Sequence, residues 1–131
     1  MVGVSLAYVT LLARDVAALA DFYVEGLGLE EVLGSRDARY REVRGGGCMI
    51  GFASETVRPA IGLVDAAPTG TRAVLTFDVA SASAVAGAVS HAVACGAVLL
   101  RDAIDTPFGQ HQAVLGDPEG NVFRLSAAIG A

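Results

Sequence analysis

The sequence predicts an α+β fold in which a βαβββ module occurs twice. The first supporting observation is the order of local patterns: an alternating strand segment, a helical segment and three short strand segments occur in the first half and recur in the second. The second is a constant offset, because Tyr8 matches Val74 and Asp15 matches Ser81, 66 residues apart in both cases (74 − 8 and 81 − 15). The third is a composition of 53% apolar residues, which favours a compact globular chain.

The module boundaries follow from the place where the pattern lapses. We expect module one at about residues 4–54, a linker at 55–71 and module two at about 72–127, all within one domain spanning 1–131. The linker segment contains two prolines and two glycines, with one short extended piece at Ile61–Val64. Because sheet edges and apolar faces need covering, we expect the modules to pack together or swap between chains, and we expect a homodimer.

Module one begins with the alternating segment Leu6–Leu12, which predicts a strand. Asp15 is a good N-cap for the helix that follows, and Gly26 and Gly28 mark its end. Three short strands are expected next, at Glu30–Leu33, Arg39–Arg44 and Cys48–Ala53. Three consecutive glycines join the last two strands and permit a tight hairpin.

Module two repeats this order after the linker. Ser81 is an N-cap type of residue, apolar residues at helical spacing follow it, and Gly96 closes the helix. Four strands are expected, at Val74–Val79, Val98–Leu100, Gln110–Leu115 and Asn121–Ser126. The segment from Asp117 to Asn121, DPEGN, predicts the turn between the last two strands.

The charge pattern excludes several classes of function. The net charge is −5, all nine basic residues are arginine, and there is no lysine. An acidic chain without a basic patch is a poor candidate for binding nucleic acid or an anionic membrane. The absence of lysine also excludes Schiff-base chemistry and a P-loop.

Two features indicate a cytoplasmic location. No basic segment precedes the apolar stretch at the N-terminus, so we expect no signal peptide, and no apolar run approaches the roughly 18 residues that span a bilayer. Cys48 and Cys95 have no CxxC spacing, so we interpret them as buried free thiols in a reducing compartment.

Three local motifs resemble those of the vicinal oxygen chelate superfamily, which includes glyoxalase I, extradiol dioxygenases, and fosfomycin- and bleomycin-resistance proteins. The motifs are YVTLLARD with DFYVEGLGLEEV (8–15 and 21–32), LTFDVASASAVAGAVSHAVACGA (75–97) and GQHQAVLGDPEGNVFRLS (109–126). Together they cover nearly the whole chain. The resemblance implies two βαβββ modules whose sheets curl into a cup that holds a ligand.

The resemblance also identifies the positions at which metal-dependent members of the superfamily hold their ion. These positions are Tyr8 and Val74 in the first strand of each module, Arg124 in the last strand, and its counterpart near Gly51. Divalent metal sites of this kind need imidazole and carboxylate ligands, whereas arginine is cationic and offers no lone pair. We therefore expect no metal and no cofactor, and no glyoxalase or dioxygenase activity of the usual metal-dependent kind.

Arg124 is the most informative candidate for binding a ligand. Strand alternation places it on the face opposite Phe123 and Leu125, so it would point into the cup if those two pack on a helix. There it could bind a carboxylate, phosphate or enolate of a ligand, or pair with an internal acid such as Glu42. Tyr8 alternates to the same face of its own module, where it either lines the cup or packs in the core.

The remaining candidates for lining the ligand site are aromatic or lie in strands. Val74 is a candidate because it occupies one of the positions that the resemblance relates to metal ligands. His111 lies in a strand beside the predicted turn, where it is either a structural residue or at the rim of the cup. Tyr40 and Phe108 are either ligand-lining or core residues, while core packing is the better interpretation for Phe52. No catalytic residue is assigned, because no nucleophilic triad can be assembled from these residues.

Three functional hypotheses remain open. The first is a metal-independent small-molecule-binding protein, for which the bleomycin-resistance resemblance implies sequestration of an anionic or aromatic ligand and a role in antibiotic resistance. The second is a lyase or isomerase acting on a small carbonyl compound, with Arg124 stabilising an oxyanion and Tyr8 or His111 moving a proton. The third is a structural module without a ligand.

Overall fold

The computed structural model describes residue 3, residues 5–61, residue 71 and residues 73–130 of the chain. Contacts divide it into two compact units, residues 1–66 and 67–131. Each unit has a four-stranded sheet and one α-helix, so the predicted α+β class with two modules is confirmed.

The first unit follows the predicted βαβββ order. Its elements are β1 (Tyr8–Ala13), α1 (Val16–Leu27), β2 (Glu30–Glu31), β3 (Tyr40–Arg44) and β4 (Met49–Ser54). The sheet order is β1-β4-β3-β2, with β1 parallel to β4 and the other pairs antiparallel. The last strand of the module, β4, therefore lies inside the sheet, hydrogen-bonded to the first strand β1 on one side and to β3 on the other.

The ends of α1 form as the sequence predicts. Asp15 accepts a 3.0 Å hydrogen bond from the backbone N–H of Ala18, and Gly28 ends the helix with φ of 70°. The helix buries Leu19 and Tyr23 completely. The Tyr23 ring centroid lies 5.1 Å from that of Phe52 on β4, so this aromatic contact joins the helix to the sheet.

The second unit repeats the order. Its elements are β5 (Leu75–Asp78), α2 (Val85–Ala94), β6 (Val98–Asp105), β7 (Gln110–Gly116) and β8 (Val122–Ala128). The sheet order is β5-β8-β7-β6, with β5 parallel to β8. Val85 and Ala92 of the helix and Phe123 of β8 are fully buried, and they mark the core of this unit.

Some element boundaries differ from those predicted. Strand β2 is only two residues long, because a 3₁₀ turn over Leu33–Ser35 follows it. Strand β6 continues to Asp105, although its charged residues interrupt the apolar pattern after Leu100. Strand β6 stays paired with β7 over this stretch, and the register of the pairing shifts at two points.

The start of α2 also differs from the prediction. Ser81 caps a 3₁₀ turn (Ala82–Ala84) that leads into the helix, and its side chain makes no capping hydrogen bond. Its hydroxyl instead lies 3.1 Å from that of Ser83. The Ser81 side chain was predicted to cap the helix, but it contacts the Ser83 hydroxyl and not the backbone of the helix.

The segment predicted as a linker begins with regular structure. Residues Glu55–Val57 and Pro59–Ile61 form two 3₁₀ turns, and the rest of the predicted extended piece lies outside the described residues.

Both cysteines are free thiols as predicted, but they are half-buried rather than buried. In the described part of the chain, neither helix is long and apolar enough to cross a bilayer.

Candidate functional site

Each sheet packs one face on its helix, and we call the opposite side the far face. In the second unit, Phe123 and Leu125 are buried on the helix side. Arg124, between them, therefore projects from the far face. Its Nε donates a 3.0 Å hydrogen bond to the hydroxyl of Thr76, the residue paired with it on β5.

The pairing of Arg124 sets it apart from other arginines of the chain. Four arginines of the first unit donate to carboxylates at 2.6–3.1 Å, namely Arg36, Arg41, Arg44 and Arg58. Among the described residues of its own unit, no carboxylate pairs with Arg124, which donates instead to a neutral hydroxyl. A half-buried guanidinium that donates to a neutral hydroxyl favours the approach of an anion.

A buried polar chain lies on the same far face. Ser126 is 1% exposed and Gln112 is 3% exposed. Gln112 donates to the Ser126 hydroxyl at 3.2 Å, and that hydroxyl donates to Gln110 at 2.9 Å. Gln110, Gln112 and Ser126 are not among the residues predicted to line the site, although strand alternation from Arg124 to Ser126 places Ser126 on this face.

His111 lies on the other side of this sheet. The register of β7 with β8 is continuous, and Arg124 pairs with Val114, three residues from His111, so the two side chains project from opposite faces. Nδ1 of His111 lies 2.9 Å from a carboxylate oxygen of Asp105. The prediction that His111 joins Arg124 in one ligand site is therefore corrected: His111 belongs to a histidine–aspartate pair at the end of the sheet.

In the first unit, the far face carries Tyr8 and Tyr40. Tyr8 is 56% exposed at the start of β1, so it is not a core residue. The Tyr40 hydroxyl donates a 2.7 Å hydrogen bond to Glu42, two residues along β3. Burial and this hydrogen bond raise the pKa of Tyr40 well above its usual value, so its phenol keeps its proton.

Gly51 is the reason that the Tyr40 ring can lie so close to strand β4. Gly51 pairs with Glu42, and a Cβ placed at Gly51 would lie 2.9 Å from carbons of the Tyr40 ring and would also collide with its hydroxyl. A side chain at position 51 would therefore need the ring to move. The glycine at this position serves the close approach of an aromatic ring.

Three other predicted site residues lie in different surroundings. Phe52 is fully buried against Tyr23, so its predicted place in a ligand site is corrected and it is a core residue. Val74 is 40% exposed and directly precedes β5. Phe108 is 64% exposed in the turn between β6 and β7, where it could contact a ligand only at the rim.

The residues that the resemblance relates to the superfamily's metal positions do not fit a metal ion. The Tyr40 ring covers Gly51, Val74 offers no donor atom, and Arg124 places a cation on its sheet. Tyr8 alone cannot supply the set of ligands that a divalent ion needs. Within the described ranges, no three His, Cys, Asp or Glu side chains come close enough together to hold an ion.

The comparisons with known proteins agree with this architecture. Residues 8–126 match the family model described as a glyoxalase-like domain. A crystal structure of a glyoxalase/bleomycin resistance protein/dioxygenase family enzyme from Burkholderia phytofirmans PsJN is 33% identical, with a TM-score of 0.89 over 94% of this chain and 98% of that chain.

Two further solved structures are similar. A glyoxalase-related enzyme from Fulvimarina pelagi is 26% identical, with a TM-score of 0.83, and the match covers 94% of this chain and 87% of that one. A lactoylglutathione lyase from Agrobacterium tumefaciens shares the fold at 18% identity and a TM-score of 0.71, over 94% of this chain and 92% of that one. Among curated proteins there is no significant match. The chain belongs to the glyoxalase-like domain family of the vicinal oxygen chelate superfamily.

Proposed function

We propose that this protein binds a small molecule without a metal ion, and that Arg124 holds an anionic or carbonyl oxygen of the ligand. The observation that carries this proposal is the half-buried guanidinium of Arg124, whose Nε contacts the neutral Thr76 hydroxyl. Hydrogen bonds to a charged group contribute about 1.5–3 kcal/mol, so an oxyanion at this point would add substantially to affinity.

The neighbours of Arg124 support a ligand that is polar at one end and apolar elsewhere. Val114 pairs with Arg124 across the sheet, and Val122 lies two residues before it, so both present apolar surface on the far face. Ligand sites generally combine apolar walls with a few polar groups that fix orientation. Sequestration or accessory binding of an anionic or aromatic metabolite or antibiotic fits this surface.

Catalysis without a metal is a second candidate, favoured because the 33% identical structure is named as a family enzyme. The substrate would be a small carbonyl compound, and Arg124 would stabilise the oxyanion that forms. His111 cannot move a proton beside Arg124, because the two project from opposite faces of the sheet.

Calorimetry with matched variants tests the binding proposal. Wild-type protein, Arg124→Gln and Arg39→Gln are titrated with small carboxylates, 2-oxo acids, phosphate esters and planar aromatic antibiotics in buffer containing a chelator. Arg39 is exposed, so its variant controls for the loss of one positive charge. We expect at least one anionic compound to bind wild type and Arg39→Gln, and to bind Arg124→Gln at least tenfold more weakly. Equal affinity in all three proteins, or no binding by any compound, would contradict the proposal.

A further inference from the structure

An irregularity in strand β6 decides which face of the sheet Arg101 occupies. Leu99 pairs with Leu115, which is fully buried and lies on the helix side, paired with Phe123. In a regular strand Arg101, two residues after Leu99, would project from that same side. The register shifts between Leu99 and Arg101, however, and Arg101 pairs with Val114. Such a β-bulge inserts an extra residue into one strand and re-aims the side chains beside it.

The bulge places Arg101 on the far face of the sheet, where Arg124 also lies. Val114 pairs with Arg101 on one side and with Arg124 on the other, and residues directly opposite each other share a face. The other bulged residue, Leu100, agrees with this assignment. Its Cδ1 lies 3.9 Å from the point that a Cβ at Gly116 would occupy, and position 116 shares the face of Val114 by alternation.

The far face therefore presents a cation, an apolar side chain and a second cation in one row across three strands. Arg101 on β6, Val114 on β7 and Arg124 on β8 are in register. Neighbouring strands lie about 4.7–4.9 Å apart, so the Cα atoms of the two arginines are separated by about 10 Å. Val114 is half-buried between them. This row matches a ligand that has an anionic group at each end and an apolar middle.

The two guanidinium groups are not neutralised by carboxylates of the chain. Arg124 donates to the Thr76 hydroxyl, and within the described residues neither Arg124 nor Arg101 forms an ion pair. Asp78 lies on the same face, where it pairs with Ser126 in the strand register, but it bridges to neither arginine. A surface that carries one sign of charge concentrates ligands of the opposite sign.

We propose that the ligand held by Arg124 is a small dicarboxylate, that Arg101 binds its second carboxylate, and that its apolar middle lies on Val114. This inference rests on the proposed function and adds a second anionic group to the ligand. Arginine suits both ends, because its planar guanidinium donates two parallel hydrogen bonds to a carboxylate. Arg101 is exposed, so water screens its contribution more than that of half-buried Arg124.

Calorimetry with ligands matched in length tests the second anionic group. Straight-chain dicarboxylates from succinate to suberate, and monocarboxylates from butyrate to octanoate, are titrated at low ionic strength into wild type, Arg101→Gln, Arg101→Lys, Arg124→Gln and Arg39→Gln. We expect one dicarboxylate to bind wild type about fivefold or more tightly than the monocarboxylate of equal length. Exposed Arg39 controls for net charge, so Arg39→Gln should keep this preference. Arg101→Gln should lose it and still bind monocarboxylates, and Arg101→Lys should retain part of it.

The outcomes separate this inference from the proposed function. Equal affinity of wild type for the two ligand classes, with both weakened in Arg124→Gln, would overturn the dicarboxylate inference and leave the proposed function standing. An unchanged preference in Arg101→Gln would do the same. If Arg124→Gln binds every compound as tightly as wild type, or if wild type binds none of them, the role of Arg124 itself is wrong and the inference falls with it.

Discussion

The Tyr40 ring lies against the backbone of Gly51 on the neighbouring strand β4. The Tyr40 hydroxyl is held there by a 2.7 Å hydrogen bond to Glu42, the residue paired with Gly51 on the neighbouring strand. The glycine at position 51 and the placement of Tyr40 are thus one structural feature, since the ring needs the space that a side chain would occupy.

This relationship predicts that Gly51→Ala is destabilising. The added methyl group would displace the Tyr40 ring, and overpacking of this kind costs about 1–3 kcal/mol. Urea denaturation of the single variants and of the pair Gly51→Ala/Tyr40→Ala measures the effect. We expect the cost of Gly51→Ala to fall by at least half when Tyr40 is alanine. An unchanged cost in the double variant would show that the ring is not what excludes a side chain.

The contact of Arg124 with Thr76 predicts a graded loss of ligand affinity. Thr76→Val removes the hydroxyl that orients the guanidinium, and one hydrogen bond contributes about 1 kcal/mol, or about a fivefold change. Thr10 is the matched control, because it occupies the same position in module one, 66 residues earlier (76 − 10), and pairs with Gly51. Calorimetry with the best anionic ligand should show weakening in Thr76→Val and none in Thr10→Val.

A buried ion network between α1 and the first sheet predicts strong destabilisation by Arg41→Ala. The Arg41 side chain is 8% exposed and donates to Glu31 at 2.6 Å and to Asp21 at 2.7 Å. Arg36 still pairs with Glu31 when Arg41 is removed, so the expected cost is about 1.5–3 kcal/mol, the contribution of hydrogen bonds to charged groups. Arg44→Ala is the control, because its pair with Glu30 is exposed and such pairs contribute about 1 kcal/mol or less. Equal losses of unfolding free energy in the two variants would contradict this prediction.

The same network predicts how stability depends on acid. Hydrogen bonds from Arg36 and Arg41 lower the pKa of Glu31 from 4.5 to about 2. Since the unfolded chain then binds this proton at higher pH than the folded chain, the contribution of Glu31 is full above about pH 4.5 and is lost as the pH falls towards 2.

Denaturant titrations between pH 2 and 6 measure this dependence. Glu31→Gln should be less stable than wild type at pH 6 and should lose less stability on acidification. Glu30→Gln should follow the wild-type curve closely, because the Glu30 carboxylate is exposed. If the unfolding free energies of wild type and Glu31→Gln fall in parallel as the pH is lowered, the acid sensitivity comes from other carboxylates and the prediction is wrong.

Strand alternation determined much of the second unit's site. The order Phe123-Arg124-Leu125 alone requires Arg124 to face away from its two apolar neighbours, and the structure places it so. The duplicated order of elements, the Asp15 cap and the Asp117–Asn121 turn were also predictable, because each depends on residues close together in the chain. The same rule applied to β7 would have separated His111 from Arg124.

The partners of these side chains were decided by tertiary structure. Arg41 lies in a strand beside other charged residues, yet it is buried because Asp21 and Glu31 reach it from α1 and β2. Likewise, nothing near Gly51 in the sequence indicates that the Tyr40 ring covers it. The sequence by itself determined the modules and the face on which Arg124 projects, since alternation depends only on neighbours along the chain. Tertiary structure decided which charges are compensated and which glycine an aromatic ring covers, since strand register and helix packing bring together residues that are distant in sequence.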